Sequence, residues 1–86
     1  MRVRFHENFE KQYKKLRENE QSRAKDRLSL FLRDEFDPIL NNHPLTGRYK
    51  GYRSINITGD LRALYKYQNP SVCIFVIIDT HSNLYQ

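Results

Sequence analysis

Four polar side chains in the second half of the chain have the types needed to cleave a phosphodiester: Asn56, Asp60, Arg62 and His81. Histidine is the side chain whose ordinary pKa of about 6.5 suits proton transfer near neutral pH. Arginine presents planar donors that match phosphate oxygens. A proton shuttle and a cation beside a phosphate are the two requirements of this chemistry.

Short connections predict that these residues lie together. Apolar, strand-like runs cover 52–57, 61–67 and 72–79, and only 58–60 and 68–71 separate them. Connections this short favour antiparallel hairpins. In consecutive antiparallel strands the end of one lies beside the start of the next. Asn56, Asp60 with Arg62, and Asp79 with His81 should therefore share one end of the sheet.

Each of these residues also has a purely structural explanation. Asp60 follows Gly59 in a turn, where aspartate is common for backbone reasons. Arg62 stands between Leu61 and Ala63, as a solvent-facing residue of an alternating strand does. His81 could be a surface or capping residue at a strand end. The residues alone leave these explanations open.

The first half of the chain predicts a short strand and two helices. Val3 and Phe5 alternate with polar residues, which indicates a strand with one buried face. From about Asn8 the period becomes helical. Residues 19–22 read as a break, with Asn19 or Ser22 as the cap of a second helix. The apolar residues of these helices recur every three or four positions: Phe9, Tyr13 and Leu16, then Ala24, Leu28, Phe31, Leu32 and Phe36.

These elements predict an α+β fold in the order β-α-α-β-β-β, as a single domain over residues 1–86. Asp37-Pro38 ends the second helix, and residues 37–51 are irregular. The helical hairpin should pack on one face of a small, mainly antiparallel sheet. The apolar run 72–78 should form a central strand with Cys73 in the core. The other sheet face is left to solvent or to a ligand.

Composition favours an anionic partner. The net charge is +5 and the isoelectric point is near 9.6, which suits nucleic acid, a membrane surface or an acidic protein. Residues 43–66 hold five basic side chains against Asp60, a net charge of +4. The sequence has no run of 18 apolar residues, no signal peptide and a single cysteine, so a reducing cytoplasm is expected.

Three ordered motifs resemble the toxins of the YafQ type. Residues 43–53, HPLTGRYKGYR, resemble the segment HPL-x-G-x-(W/Y)-KGYR of those toxins. Residues 54–65 are similar to the strand, tight turn and strand that the RelE superfamily shares. Residues 80–85, THSNLY, resemble the tail TH-x-x-L-(F/Y). The resemblance is close over 43–85 and holds in pattern only over 1–42.

The resemblance implies a RelE-like fold and ribosome-dependent cleavage of mRNA. In that chemistry the ribose 2′-hydroxyl attacks the adjacent phosphate, leaving a cyclic phosphate and a free 5′-hydroxyl. It implies no metal and no cofactor. The implied partners are a cognate antitoxin protein, the ribosome and mRNA.

The resemblance also implies catalytic roles by position. His81 matches the tail histidine, the first choice for a general acid or base. Asp60 matches an acidic residue that would orient a histidine or accept the 2′-hydroxyl proton. Arg62 matches the arginine that contacts the scissile phosphate, and Tyr85 the terminal aromatic that would stack on a base. His43 matches the loop histidine, whose access to the phosphate depends on how its loop folds.

Four further positions are expected to bind RNA or to depart from the family. Arg48, Lys50 and Arg53 would add phosphate affinity that does not depend on sequence. Asn56 stands where YafQ-like enzymes carry a second histidine. An amide can position a phosphate or a water but cannot shuttle protons, so the proton work would fall on His81, Asp60 and His43.

Two other functions remain open at this point. ParE-like relatives share the architecture and poison DNA gyrase without cleaving RNA. The HPL loop and the tail at 81–85 favour the nuclease, because a gyrase poison needs no histidine there. A basic protein that only binds nucleic acid is the other alternative, and Asn56 is the best argument for it.

Overall fold

The computed structural model describes residues 1–85. The chain forms a five-stranded sheet, and two helices cover one face of it. The strands run in the spatial order β1-β5-β4-β3-β2; β1 is parallel to β5 and the other pairs are antiparallel. The elements are β1 (Arg2–Phe5), α1 (Glu7–Lys14), α2 (Glu18–Arg33), β2 (His43–Pro44), β3 (Arg53–Asn56), β4 (Leu61–Asn69), β5 (Val72–Thr80) and α3 (His81–Leu84). The predicted α+β fold is confirmed, with the short elements β2 and α3 added. None of the helices in the described part is long and apolar enough to cross a membrane.

The main core lies between the helices and the sheet. Phe31 of α2 packs edge-on against Tyr65 and Phe75, with ring centroids 4.9 and 5.2 Å apart. Two residues of the predicted apolar stripe lie outside this core: Leu32 is 60% exposed and Phe36 is 59% exposed. The reason is that α2 ends at Arg33, and Asp34 adopts extended backbone. Phe36 therefore leaves the helical period, and Leu32 is one position off the buried row.

The start of α2 differs from the prediction. The helix begins at Glu18 with Arg17 as its N-cap, so neither Asn19 nor Ser22 caps it. The Glu20 carboxylate accepts a hydrogen bond of 3.0 Å from the Arg17 backbone N–H. This bond also lowers the pKa of Glu20. Glu20, three residues into the helix, thus binds the backbone N–H of the N-cap residue, as the N3 glutamate of a capping box does.

Side chains of α1 close the edge of β5 beyond the end of β1. Asn8 Nδ2 donates to the Val76 carbonyl at 2.9 Å, and Gln12 Oε1 accepts from the Ile78 N–H at 3.0 Å. The parallel pairing with β1 ends at Phe75, so these backbone groups would otherwise lack protein partners. The helix thereby holds the part of β5 that leads to His81.

Cys73 is buried in β5, as predicted. Burial, with a smaller contribution from the negative charge of Glu35, raises the pKa of its thiol to about 11. We expect iodoacetamide at pH 8 to modify the native thiol about 10²-fold more slowly than an exposed cysteine, because the thiolate is the reactive form. Mass spectrometry along a urea titration would measure this. Labelling that proceeds equally fast with and without urea would contradict the expectation.

Candidate active site

A second, smaller apolar cluster covers the sheet face opposite α1 and α2. Leu45, Leu64 and Leu84 form its buried part. The segment 45–52 folds back over this face, and its turn is closed by a hydrogen bond of 2.9 Å from the Leu45 N–H to the Tyr52 carbonyl. This face was expected to be left to solvent or a ligand. The structure shows instead that α3 and the 45–52 segment cover part of it.

A cavity of about 250 Å³ opens beside this cluster. Its lining consists of Asn41, His43, Ser54, Arg62, His81 and Tyr85. Four of the five residues that the resemblance implies to be catalytic therefore meet around one space. The strand registers account for the meeting, since β2, β3, β4 and β5 are consecutive neighbours in the sheet.

His43 reaches the cavity because β2 pairs with β3, which sets His43 opposite Ser54. Its ring nitrogen Nδ1 lies 2.7 Å from the carbonyl oxygen of Asn41. A carbonyl only accepts hydrogen bonds, so Nδ1 carries the hydrogen in this contact. The neutral ring then has its lone pair on Nε2. That form of His43 can take a proton at Nε2.

Arg62 is held by the turn between β3 and β4. Its Nη1 donates to the Thr58 and Leu61 carbonyls at 2.9 and 3.1 Å, and its Nη2 donates to the Gly59 carbonyl at 3.1 Å. The guanidinium of Arg62 forms no other hydrogen bond within residues 1–85. Its Nε–H and its second Nη2–H remain for an anion. The turn thus orients the guanidinium before a ligand arrives.

His81 and Tyr85 are brought together by α3. Thr80 caps this helix by accepting the Asn83 N–H at 3.1 Å, and the Asp79 carboxylate accepts from the Asn83 side chain at 2.9 Å. One helical turn separates His81 from Tyr85, so their ring centroids lie 4.7 Å apart. The sequence predicted both residues for the site but not the helix that pairs them.

Asp60 contributes its backbone to the site. Its carbonyl accepts the His81 N–H at 2.8 Å, which ties the start of α3 to the turn before β4. The side chain of Asp60 is exposed, and it does not line the cavity. The predicted proximity of Asp60, Arg62 and His81 is therefore correct, while the carboxylate itself lies outside the cavity.

Asn56 and two of the expected phosphate ligands lie around the cavity without lining it. Asn56 is paired with Arg62 across β3 and β4, and its Oδ1 is buried with no hydrogen-bond partner in the described part of the chain. Arg48 and Lys50 are exposed on the 45–52 segment. The Arg48 guanidinium lies 5.7 Å from the centroid of the Tyr49 ring.

Arg53 lies on the other side of the sheet, which corrects its placement beside Arg48 and Lys50. It is paired with Tyr65, whose ring belongs to the main core. Its Nε donates to Asn42 Oδ1 at 2.8 Å, and its guanidinium lies 5.4 Å from the centroid of the Phe36 ring. Alternation along β3 puts Arg53 on the helix-covered face and Ser54 on the cavity face.

Two residues that line the cavity, Ser54 and Asn41, were not predicted from the sequence. Ser54 is only 2% exposed and lies between the core-facing positions Arg53 and Ile55, so strand alternation could have found it. Asn41 has a φ of 46°, in the left-handed region that asparagine enters more readily than most residues.

No group of three or more histidine, cysteine, aspartate or glutamate residues within 1–85 could hold a metal ion.

A family model described as YafQ, the bacterial toxin of a type II toxin–antitoxin system, matches residues 1–86. The chain belongs to the YafQ family. The resemblance that the three motifs indicated is thereby confirmed. No curated protein sequence matches the chain significantly.

Solved structures show that the YafQ fold extends over the whole chain. YafQ from E. coli strain BL21(DE3) is 21% identical, with a TM-score of 0.81 and full coverage of both chains. The E. coli DinJ–YafQ toxin–antitoxin complex matches at 22% identity and a TM-score of 0.77, covering 98% of this chain and 96% of that one. A YoeB/ParE toxin from Agrobacterium tumefaciens is 19% identical, with a TM-score of 0.75 and coverage of 94% and 99%.

Proposed function

We propose that this YafQ-family toxin is a ribosome-dependent endoribonuclease that cleaves translated mRNA. The observation that carries the proposal is the meeting of His43, Arg62 and His81 around one cavity. Two imidazoles can transfer protons in opposite directions, and a guanidinium can hold the phosphate between them. These three groups supply the proton transfers and the charge neutralisation of the reaction, so the proposed mechanism uses no metal or cofactor.

His43 acts as the general base. With Nδ1 hydrogen-bonded to the Asn41 carbonyl, Nε2 of the neutral ring takes the proton of the ribose 2′-hydroxyl. The 2′-oxygen then forms a bond to the adjacent phosphorus while the bond from phosphorus to the 5′-oxygen breaks. The products are a 2′,3′-cyclic phosphate and a 5′-hydroxyl.

His81 acts as the general acid and gives a proton to the departing 5′-oxygen. Arg62 binds the phosphate and stabilises the negative charge that increases on its oxygens during the attack. Tyr85, beside His81, stacks on a base next to the cleaved bond. The Asp60 carbonyl anchors His81 through the backbone bond at 2.8 Å.

Asn56 takes a binding role in this scheme. Its Oδ1 is buried with no partner within residues 1–85 and does not line the cavity, so it can accept a hydrogen bond from a ribose hydroxyl or a water only when its neighbours move as RNA binds. Because an amide transfers no protons at neutral pH, the two proton transfers are assigned to His43 and His81. The absence of a histidine at this position therefore leaves the reaction class unchanged.

Cleavage by the purified chain on translating ribosomes would test the proposal. We expect new 5′ ends within translated codons, carrying a free hydroxyl, opposite fragments that end in a cyclic phosphate. The same mRNA without ribosomes should remain intact. Growth arrest without cuts would redirect the proposal to DNA gyrase, which a supercoiling assay would check. Ribosome binding without arrest or cuts would mean a non-catalytic binding protein.

A cognate antitoxin is the proposed protein partner, acting in the cytoplasm where translation takes place. Support comes from membership in a toxin family of type II systems and from the E. coli complex of YafQ with DinJ. The positive charge of the chain suits an acidic partner segment. Co-purification of the chain with the product of the adjacent gene, and loss of toxicity on co-expression, would support this partner.

Arg48 and Lys50 should set the salt dependence of ribosome binding. Both are exposed on the cavity face of the sheet, so each can contact an RNA phosphate. We expect Arg48→Ala and Lys50→Ala each to reduce the slope of log affinity against log salt by about 0.7–1, because each contact releases counterions. Filter binding from low to high salt measures this slope. Arg23→Ala, a matched change on the exposed side of α2, should leave it unchanged; an equal change there would contradict the assignment.

A further inference from the structure

A polar network on the helix-covered side of the sheet holds the backbone just before His43. Its centre is the side chain of Asn42. Nδ2 of Asn42 donates to the Glu35 carbonyl at 3.0 Å and to the Tyr65 hydroxyl at 2.7 Å. Oδ1 of Asn42 accepts from Arg53 Nε at 2.8 Å. Both donor hydrogens of this amide and its acceptor oxygen are therefore bound to protein groups.

Tyr65 determines which groups of this network donate hydrogen bonds and which accept them. The residue is fully buried, and its hydroxyl donates to the Glu35 carboxylate at 3.0 Å. Burial, more than any neighbour, raises the pKa of Tyr65 to about 12. The hydroxyl therefore remains neutral at physiological pH, donating to Glu35 and accepting from Asn42. Tyr67 donates to the same carboxylate but is not among the hydrogen-bond partners of the Asn42 side chain in the described part of the chain.

The residue before Asn42 carries the carbonyl that binds His43. Asn41 has φ and ψ of 46° and 48°, a left-handed conformation that asparagine adopts more readily than most residues but less readily than glycine. Its N–H donates to the Pro38 carbonyl at 3.2 Å, and its own carbonyl faces His43 Nδ1 at 2.7 Å. The direction of that carbonyl depends on the peptide that joins Asn41 to Asn42. The network anchors this peptide from its C-terminal side.

We propose that Asn42 is a positioning residue that acts through the Asn41 carbonyl to keep neutral His43 in its Nδ1–H form. In that form Nε2 is free to take a proton. Without the anchor the 41–42 peptide can rotate, and the ring can move its hydrogen to Nε2, where it blocks the basic nitrogen. The inference rests on the proposed function, since it specifies how the base of that reaction is prepared.

His6 provides an internal contrast. Its Nδ1 accepts a hydrogen bond of 2.9 Å from the backbone N–H of Asn8 at the start of α1. An acceptor nitrogen carries no hydrogen, so neutral His6 must be in the Nε2–H form. The structure thus predicts opposite tautomers for His6 and His43 in one molecule. Nitrogen-15 NMR distinguishes them, because protonated and bare ring nitrogens resonate far apart.

The test compares the purified wild type with Asn42→Ala above about pH 8.5, where imidazoles are neutral. In the wild type we expect His43 as Nδ1–H and His6 as Nε2–H, with each histidine assigned by its absence in a His→Gln variant. In Asn42→Ala we expect His43 to become mainly Nε2–H while His6 stays unchanged. Cleavage on ribosomes should fall about 10-fold, without a change in ribosome affinity.

Two conservative variants separate positioning from general damage. Tyr67→Phe removes a hydroxyl from the same carboxylate but leaves Asn42 with all its partners, so His43 should keep its tautomer. Tyr65→Phe removes one partner of Asn42 and should shift His43 in part. The second variant decides the question if Asn42→Ala does not fold.

A folded Asn42→Ala with His43 still in the Nδ1–H form would overturn the inference. If Asn42→Ala does not fold, an unchanged His43 tautomer in Tyr65→Phe would also overturn the inference. So would a wild-type protein whose neutral His43 is in the Nε2–H form. The NMR result does not depend on the nuclease. A tautomer shift in a chain that cuts no RNA would refute the proposed function alone, and cutting without a shift would refute only the positioning role.

Discussion

Replacing His81 with alanine is expected to slow mRNA cleavage by about 10²–10⁴-fold, the usual contribution of a general acid or base. His81 lines the cavity with His43 and Arg62 and is the only imidazole on α3. Without it the departing 5′-oxygen must take its proton from water. Single-turnover cleavage of one mRNA on stalled ribosomes would measure the loss, and growth arrest on induction should disappear with it.

The fold and the ribosome affinity should survive this change. His81 is exposed, and its backbone N–H, which bonds the Asp60 carbonyl, is retained in the alanine variant. We therefore expect the free energy of unfolding to change by less than about 0.5 kcal/mol. His6→Asn is the matched control, because asparagine keeps an acceptor at the start of α1. Its cleavage rate should equal that of the wild type. Undiminished cleavage by His81→Ala would remove His81 from the chemistry.

The strands after residue 52 and the grouping at their ends were predictable from the sequence because both depend on local features. Apolar runs joined by turns of three or four residues leave few topologies. The pairing of Asn56 with Arg62 lies next to its turn, whereas that of Arg62 with Asp79 is separated from its turn by two shifts of register in β4 and β5. Nothing distant in the chain needed to be known.

The position of His43 in the cavity could not be predicted from local features of the sequence. Its place in the cavity depends on β2, a strand of two residues, and on pairing with Ser54 eleven positions later. Neither leaves a periodic pattern, because two residues cannot show an alternation. The same holds for α3, whose four residues are too few for a helical period, although Thr80 before it is a recognisable capping residue.

The motif that contains Arg53 did not predict which face of the sheet its side chain occupies. The motif at 43–53 placed three basic residues together on resemblance. The face that each side chain occupies depends on its position along the strand, and Ile55, an apolar core residue, shares its face with Arg53. That alternation was readable in the sequence. Arg53, which was expected to bind phosphate, instead donates to Asn42 and belongs to the network that holds this residue.

Arg62→Ala is expected to lower the cleavage rate by about 10²–10³-fold, the usual effect of removing one donor to a developing negative charge. The guanidinium lines the cavity, and three carbonyls of the turn at 58–61 orient it. Lys50→Ala removes an equal charge from an exposed position that does not line the cavity. It should weaken ribosome binding only, leaving the single-turnover rate at saturating ribosomes within about twofold of the wild type.

Arg62→Lys separates charge from geometry. A lysine keeps the positive charge but lacks the planar donors that bind both the turn carbonyls and a phosphate. We expect Arg62→Lys to keep most of the loss in cleavage rate that Arg62→Ala shows, because the ammonium cannot be held by three carbonyls and still present two donors to the substrate. Equal losses of rate in Arg62→Ala and Lys50→Ala would show that Arg62 contributes charge alone. A full recovery of rate in Arg62→Lys would show the same, and the orientation by the turn would then have no catalytic consequence.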